Sequence, residues 1–495
     1  MSGDTLPSQR PEENLYPPGF RARRGLNWGF LGLLYTSYYM CRYNFAIANK
    51  SISDEFGFSK SDIGIIISTN QLAYAFGQIL NGLMTDKIGG KRAMITGALG
   101  TIVMNVLFGL ATTYAVRLPN GAWKASLFHG SVFLSLLALF TLIRGIDGYL
   151  QSFGAPGMVK INTAWFNRME RGRFAGIFGF MINLGRVGIF TIGPALLAGS
   201  TMFGLITFHP LHWRWLFYVP AGICAVVAVG MAAFTAETPE EAGFNRGSAD
   251  PETGMDARAN FGFVLKTIAL NPIIWLVALA YACTGAARQG VDQWFTRYMQ
   301  DVHKMDLNSM RFFILAMAIP IVASAGSLLS GYISDFYYGG RRAPVAVALY
   351  LSQMFFTIAA GVASYYFLTS LGTIFFFILI AFTVNATHSI LGTAAAMDIG
   401  GRKMSGFASG CIDSFQYFGG SLAGLVLGRL LDVSWGYYWW FMVPFGFFGT
   451  LLMIARTVGI EREPEGNVAS EAAMHTGAAP DVHPKPADLT GTTLR

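Results

Sequence analysis

Five of the chain's 35 basic residues, Arg42, Arg144, Arg186, Arg288 and Arg429, sit inside long apolar runs. A guanidinium in such surroundings needs an anion. At the centre of a membrane span each arginine costs about 2.5–3.5 kcal/mol on insertion scales, so a functional cavity is the default explanation. An arginine offers a planar fork of donors suited to bidentate contact with carboxylate or phosphate oxygens. Arg42 and Arg288 each lie about 16 residues into their runs, and Arg42 precedes Asp86 by 44 residues while Arg288 precedes Asp335 by 47. Two guanidinium groups at matched depth, facing each other across an axis, suit a tetrahedral dianion. The competing reading is structural: ion pairs with Asp147, Asp292 or Asp413.

Those three aspartates either carry protons or tune the arginines, because an adjacent cation favours the carboxylate while burial favours its protonated form. Asp292 follows Arg288 by four residues, on the same helical face, and can pair with it. His388 has a titration range suited to coupling, or packs between helices through hydrogen bonds. Arg429, close to Asp432 at the end of a run, can snorkel. Trp435, Trp439 and Trp440 read as interfacial anchors. Cys41, Cys224, Cys283 and Cys411 all lie in apolar stretches without CxxC spacing and read as core-filling residues. There is no Walker loop, GxSxG elbow or HExxH helix. The reading is therefore not an enzyme, and no cofactor is called for.

The elements that position these side chains follow from composition. The chain has 495 residues, 53% hydrophobic and 13% charged, with mean hydropathy +0.44. A soluble domain carries about 25% charged residues, so much of this surface faces lipid. Twelve mainly apolar runs, from 26–48 to 435–457, are each long enough to cross a hydrocarbon core as a helix. The fourth is expected at 130–155 and the fifth at 174–198. Arg21, Arg23 and Arg24 precede a run too long for a signal-peptide core, so it is read as the first span. The side of the chain ends collects 22 Lys and Arg against 8 on the other, which places both termini in the cytoplasm. The organisation expected is a tail over 1–25, a six-helix half over 26–236, a polar central loop over 237–262, a second half over 263–460 and a disordered tail over 461–495.

The halves repeat. Gly82-Leu-Met-Thr-Asp86-Lys-Ile-Gly89-Gly90-Lys91-Arg92 matches Gly331-Tyr-Ile-Ser-Asp335-Phe-Tyr-Tyr-Gly339-Gly340-Arg341-Arg342, and Trp215-Leu-Phe217-Tyr-Val219-Pro220 matches Trp439-Trp-Phe441-Met-Val443-Pro444 in the same order. In the first pair, Asp at a helix end can bond a neighbouring helix N-terminus.

Twelve spans, two halves and this loop resemble the major facilitator superfamily. The resemblance implies an all-α integral membrane protein with twelve transmembrane helices in two pseudo-symmetric six-helix bundles, which rock about a midplane cavity. It gives Asp86 and Asp335 to the conformational switch, and Arg144, in Arg144-Gly-Ile-Asp147-Gly-Tyr-Leu-Gln151, to gating. Tyr35-Thr-Ser-Tyr38-Tyr39-Met-Cys-Arg42, Ala73-Tyr74, Arg288-x-Gly290 with Trp294, and Asp413-Ser-Phe-Gln416-Tyr417 resemble the organophosphate:phosphate antiporters. That similarity implies phosphate on Arg42 and Arg288, with Tyr35, Tyr38 and Tyr39 lining the cavity.

Two positions depart from the bacterial glycerol-3-phosphate transporter: Gln78 stands for a lysine and Ile182 for a histidine. Arg186, one turn after Ile182, either restores a cation to the site or pairs with Asp147 or another helix. The leading expectation is exchange of an organic phosphate or phosphonate for inorganic phosphate in the cytoplasmic (inner) membrane, by a monomer that contacts lipid and no nucleic acid. A proton-coupled carboxylate or sulfonate carrier and a transport-inactive sugar-phosphate sensor stand beside it.

Overall fold

The computed structural model describes residues 17–118, 121, 123–127, 132–166, 168–202, 206–244, 261–339, 341–366, 369–392 and 405–461. The expectations for 1–16, 245–260 and 462–495 lie outside the described residues. The first bundle contains α1 (Phe20–Phe56), α2 (Lys60–Ile88), α3 (Gly90–Leu110), α4 (Leu136–Gln151), α5 (Gly154–Trp165), α6 (Arg168–Ala198) and α7 (Trp215–Phe234). A short α8 (Phe261–Leu270) leads into the second bundle of α9 (Pro272–Asp301), α10 (Met310–Tyr337), α11 (Arg342–Tyr366), α12 (Ser370–Gly392), α13 (Ser405–Val433) and α14 (Tyr437–Glu461).

Local chemistry sets the helix ends. Ser59 and Asp62 form a reciprocal capping box at the start of α2, Ser135 accepts Ala138 N–H at the start of α4, and Asn271 caps α9 ahead of Pro272. Gly57 closes α1 with φ 70°, a conformation that favours glycine. The fourth crossing is a broken one, α4 followed by α5. Asn81 of α2 stitches the break by donating to Tyr149 O at 2.9 Å and Ser152 Oγ at 2.7 Å.

Among the described residues eight helices, α2, α3, α6, α7, α10, α11, α12 and α14, are long and apolar enough to cross a membrane. The other four of the twelve crossings fall short for two reasons: α4 and α5 are too short, at 16 and 12 residues, and α1, α9 and α13 carry buried polar side chains, including Arg42, Arg288, Asp292 and Gln416.

Hydropathy did not foresee the strands. Ala115–Arg117, Trp123–Leu127 and Val132–Ser135 (β1, β2 and β3) form an antiparallel sheet in the order β1-β2-β3, and Ser200–Met202 pairs with Ile206–Phe208 (β4 and β5). The apolar run assigned to the fourth span from 130 begins as β3. Its helix starts only after the Ser135 cap. Trp439 is likewise no interfacial anchor: it is buried and donates to Tyr298 Oη at 3.1 Å. Cys41, Cys224 and Cys411 are buried, Cys283 is half-buried, and all four are free thiols.

The bundles meet most extensively where α2 lies antiparallel against α13. There Gly64, Gly424 and Gly428 let the backbones touch, and a Cβ on Gly428 would sit 2.8 Å from Lys60 O. Gly428→Ala is therefore expected to destabilise the protein by about 1–3 kcal/mol through overpacking. Gly331→Ala, at a helical position with open space around it, is expected to be neutral or stabilising, by up to about 1 kcal/mol of helix propensity. Thermal midpoints in detergent check the contrast.

Candidate functional site

A cavity of about 100 Å³ lies between the bundles, with Tyr35, Tyr39, Asn183, Tyr281, Arg288, Asn385, His388, Asp413, Gln416 and Tyr417 in its wall. It reaches toward the end of the bundles that carries the chain termini, where Val159, Gly179, Gly392 and Ser409 continue the lining. The opposite end, at Lys50, is pinned shut by Lys50–Asp301 at 3.0 Å, Arg297 Nη2 to Ser53 Oγ at 2.9 Å and Asn49 Nδ2 to Gln293 O at 3.2 Å.

Arg288 faces the cavity. Its Nη1 lies 3.3 Å from His388 Nε2, and its Nε is 3.7 Å from Asp292 Oδ2, one turn along α9. A guanidinium only donates, so Nε2 accepts, and the proton of a neutral His388 sits on Nδ1. Nδ1–H then donates to Tyr281 Oη at 2.9 Å, and the Tyr281 hydroxyl donates to Asp413 Oδ1 at 3.2 Å. In the amide orientation that satisfies both of its ends, Gln416 accepts from Arg288 Nη1 at 2.8 Å and donates to Asp413 Oδ1 at 3.3 Å. Gln78, from the other bundle, donates to Asp413 Oδ2 at 2.7 Å. Asp413 thus anchors the groups that aim Arg288.

Removing the imidazole leaves Gln416 as the acceptor for Nη1. One neutral hydrogen bond contributes about 0.5–1.5 kcal/mol, so His388→Ala is expected to raise the concentration of anion needed for half-occupancy by about 2–10-fold. Competition binding on the purified protein checks it.

Arg42 is placed differently from the expectation of a second guanidinium open to the cavity. It is buried in a cage of aromatic rings, 4.3 Å from the centroid of Tyr74, 4.7 Å from Tyr39 and 5.6 Å from Tyr417. Ring faces compensate a desolvated cation in part, and Nη1 also donates to Tyr417 Oη at 2.6 Å. Tyr39 and Tyr417 form the cavity wall and Arg42 lies behind them. Its Nε donates to Gln151 Oε1 at 3.1 Å, while Nη2 has no hydrogen-bond partner among the described residues.

Arg144 and Asp147 form a buried pair at 2.9 Å. Arg144 also donates to the Cys41 and Arg42 carbonyls at 3.4 and 3.1 Å, and Asp147 accepts from Gln151. This pair fixes the α1 backbone and the glutamine that holds Arg42, and it does not reach the cavity.

Arg186 departs furthest from its expected place. Ile182 and Asn183 line the cavity, whereas Arg186, one turn further along the same face, is absent from the lining and reaches α9. There it forms a short ion pair with Asp292, and its Nη1 bonds Asn183 Oδ1 at 3.0 Å and Asn385 Oδ1 at 3.3 Å. Of the alternatives the sequence left open, the geometry realises the pair with another helix. Tyr38 is also displaced from the expected lining: it is buried within the first bundle and donates to Met94 O. Gln78 acts on Asp413 and is absent from the wall. Asp86 is bound by Lys160 Nζ at 3.0 Å, whereas Asp335 is exposed.

Sequence reasoning assigned no role to Gln151, Tyr74, Tyr281, Gln416 or Tyr417. For Gln151, Gln416 and Tyr417 the visible signal was a polar or hydroxyl side chain three or four residues from a charged one, as in Asp147–Gln151 and Asp413–Gln416, whereas Tyr74 and Tyr281 had no charged residue at that spacing.

A mainly helical membrane chain with two six-helix bundles around a cavity lined by Arg288 and Asp413 is, in class, a secondary transporter and not an enzyme. Residues 31–424 match the Major Facilitator Superfamily, and the chain belongs to it. It is 25% identical over 460 residues to the probable hexose phosphate transport protein of Chlamydia trachomatis, covering 90% of each chain. To the hexose-6-phosphate:phosphate antiporter of Escherichia coli strain K12 it is 26% identical, covering 81% of each chain. A third relative, the membrane sensor protein UhpC of the same strain, is 23% identical, with 83% of this chain and 86% of that one covered.

Proposed function

We propose that the protein exchanges an organic phosphate for inorganic phosphate across the inner membrane by alternating access, with both termini in the cytoplasm and the two bundles, 26–236 and 263–460, as the moving bodies. The observation that carries this is the convergence of Arg42 and Arg288, from opposite bundles, on adjacent residues of α13. Arg42 is held by Tyr417 and Arg288 by Gln416. Both acceptors are neutral and occupy places that phosphate oxygens fill better, because a charge-assisted bond is roughly twice as strong as a neutral one.

A phosphate monoester carries about −1.5 to −2 at pH 7. Taking up Arg288 and displacing the Tyr417 hydroxyl from Arg42, it ties the two bundles to one anion. Empty, the bundles lack that tie, which makes exchange obligatory. The uncharged Asn183, Ser389 and Ser409 in the wall suit the hydroxyl groups of the organic part.

The test is efflux of labelled phosphate from liposomes containing the purified protein when phosphate, glycerol 3-phosphate or hexose phosphates are added outside. Trans-stimulated efflux is expected. A folded protein without it excludes the antiporter. The likeness to a membrane sensor favours one second reading, binding without flux, which titration calorimetry on the same preparation separates from transport.

A further inference from the structure

α2 and α13 are antiparallel, and at each end of the pair a carboxylate from one helix accepts N–H groups at the start of the other. At the end near the chain termini Asp86, in the last turn of α2, accepts Phe407 N–H of α13 at 2.9 Å. At the Lys50 end Asp432, in the last turn of α13, accepts Lys60 N–H at 2.7 Å, Ser61 N–H at 2.8 Å and the Ser61 hydroxyl. Helix N-termini favour a negative group by their exposed N–H groups and partial positive charge.

Asp432 is not the intrinsic cap of α2, since Ser59 and Asp62 already form its capping box within the first bundle. Its bonds are an additional tie between bundles. They are also exposed to water, unlike the Gly64–Gly424 backbone contact below them. A tie in water can break and re-form at small cost, as a cycling gate requires, because the parted carboxylate and N–H groups are solvated at once.

We propose that Asp432 is a latch at the Lys50 end of the α2–α13 seam, which holds that end closed and must break for the cavity to open there, while Asp86, of the repeated loop, holds the opposite end as the superfamily resemblance already implies. The assignment rests on the alternating-access reading above. Asp86 belongs to the repeated loop, whereas no sequence repeat marks Asp432, whose partners come from the start of a helix 372 positions away. The Lys50–Asp301 and Arg297–Ser53 bonds between α1 and α9 close the same end from the other side. The Asp432 latch differs from them in gripping backbone, so no side-chain rearrangement of α2 releases it.

The test uses the full chain, with its four cysteines replaced, in lipid nanodiscs. Spin labels at Val116 and Met310, both exposed, span the bundles at the Lys50 end, and labels at Arg92 and Tyr337 span them at the other. Asp432→Ala is expected to raise the open population of the Val116–Met310 pair at least threefold without widening the Arg92–Tyr337 pair. Asp86→Ala should do the reverse, and Asp432→Glu should return the first pair toward the parent distribution. Unchanged Val116–Met310 distances in Asp432→Ala overturn the latch, and so does equal widening at both ends, which marks general loosening. Asp432→Asn, which keeps one acceptor oxygen, serves if the alanine variant fails to fold, with the same shift expected. Phosphate exchange by the parent protein is measured in parallel. Its absence sinks the antiporter reading, while the distances decide the latch independently.

Discussion

Phosphate exchange is expected to fall by about 10²–10³-fold in Arg42→Lys and again in Arg288→Lys, with both proteins folded. The charge is conserved in each, so the loss isolates geometry. Lysine presents a point charge and cannot span two oxygens with one planar fork, and losing a preorganised charge-assisted donor in a water-poor site costs about 2.7–4 kcal/mol. Arg42 gives the sharper test because three of its nitrogens divide the work. Nε is committed to Gln151, Nη1 to Tyr417, and Nη2 has no hydrogen-bond partner among the described residues. A lysine in the same aromatic cage keeps the ring contacts and loses the fork. The measurement is initial efflux of labelled phosphate from liposomes against external phosphate, with thermal midpoints to show that the variants fold. Near-parent exchange in both would leave the arginines as structural cations and remove the basis of the phosphate reading. Tyr417→Phe separates the cage from the ligand. It frees Arg42 Nη1 without removing the ring, so a modest gain in phosphate affinity is expected alongside the losses.

The membrane fold was legible because hydrophobic runs, the positive-residue asymmetry and two ordered repeats all pointed to it. The site was legible as a list of charges out of place, since a buried arginine is costly enough to be conspicuous. What could not be read was which charge each one meets. Arg288 and Asp292 share a helix face by spacing, yet the closer partner of Asp292 is Arg186, from the other bundle and 106 positions away. Spacing along one helix says nothing of that. The same limit hid the tyrosine cage: Tyr39 precedes Arg42 by three residues, but Tyr74 and Tyr417 arrive from α2 and α13. The strand at Val132–Ser135 was missed for a different reason. A short apolar run reads alike as the start of a helix or as a strand until its partner, here Trp123–Leu127, is known.

Breaking the Arg186–Asp292 pair from one side is expected to be more damaging than removing both partners. Their side chains are 0% and 1% exposed, so neither ion has water to fall back on. Leaving one member of a buried pair uncompensated costs about 3–5 kcal/mol, whereas replacing the whole pair by neutral groups is often close to neutral in stability. Asp292→Asn strands Arg186 and also withdraws the carboxylate 3.7 Å from Arg288, so it is expected to lower the thermal midpoint sharply. Arg186→Gln leaves Asp292 to Arg288 alone and should destabilise less. The double variant should recover most of the Asp292→Asn loss, giving a coupling energy within about 0.5–3 kcal/mol for residues in direct contact. Phosphate affinity separates this role from the one the sequence first offered. A substrate-binding Arg186 predicts that Arg186→Gln weakens phosphate binding with or without Asp292. An inter-bundle tie predicts instead that Arg186→Gln binds phosphate less tightly only while Asp292 remains, because the freed carboxylate then competes for Arg288. In the double variant the competitor is gone and affinity returns toward the parent value, while the loss of a bond between bundles persists as a changed exchange rate.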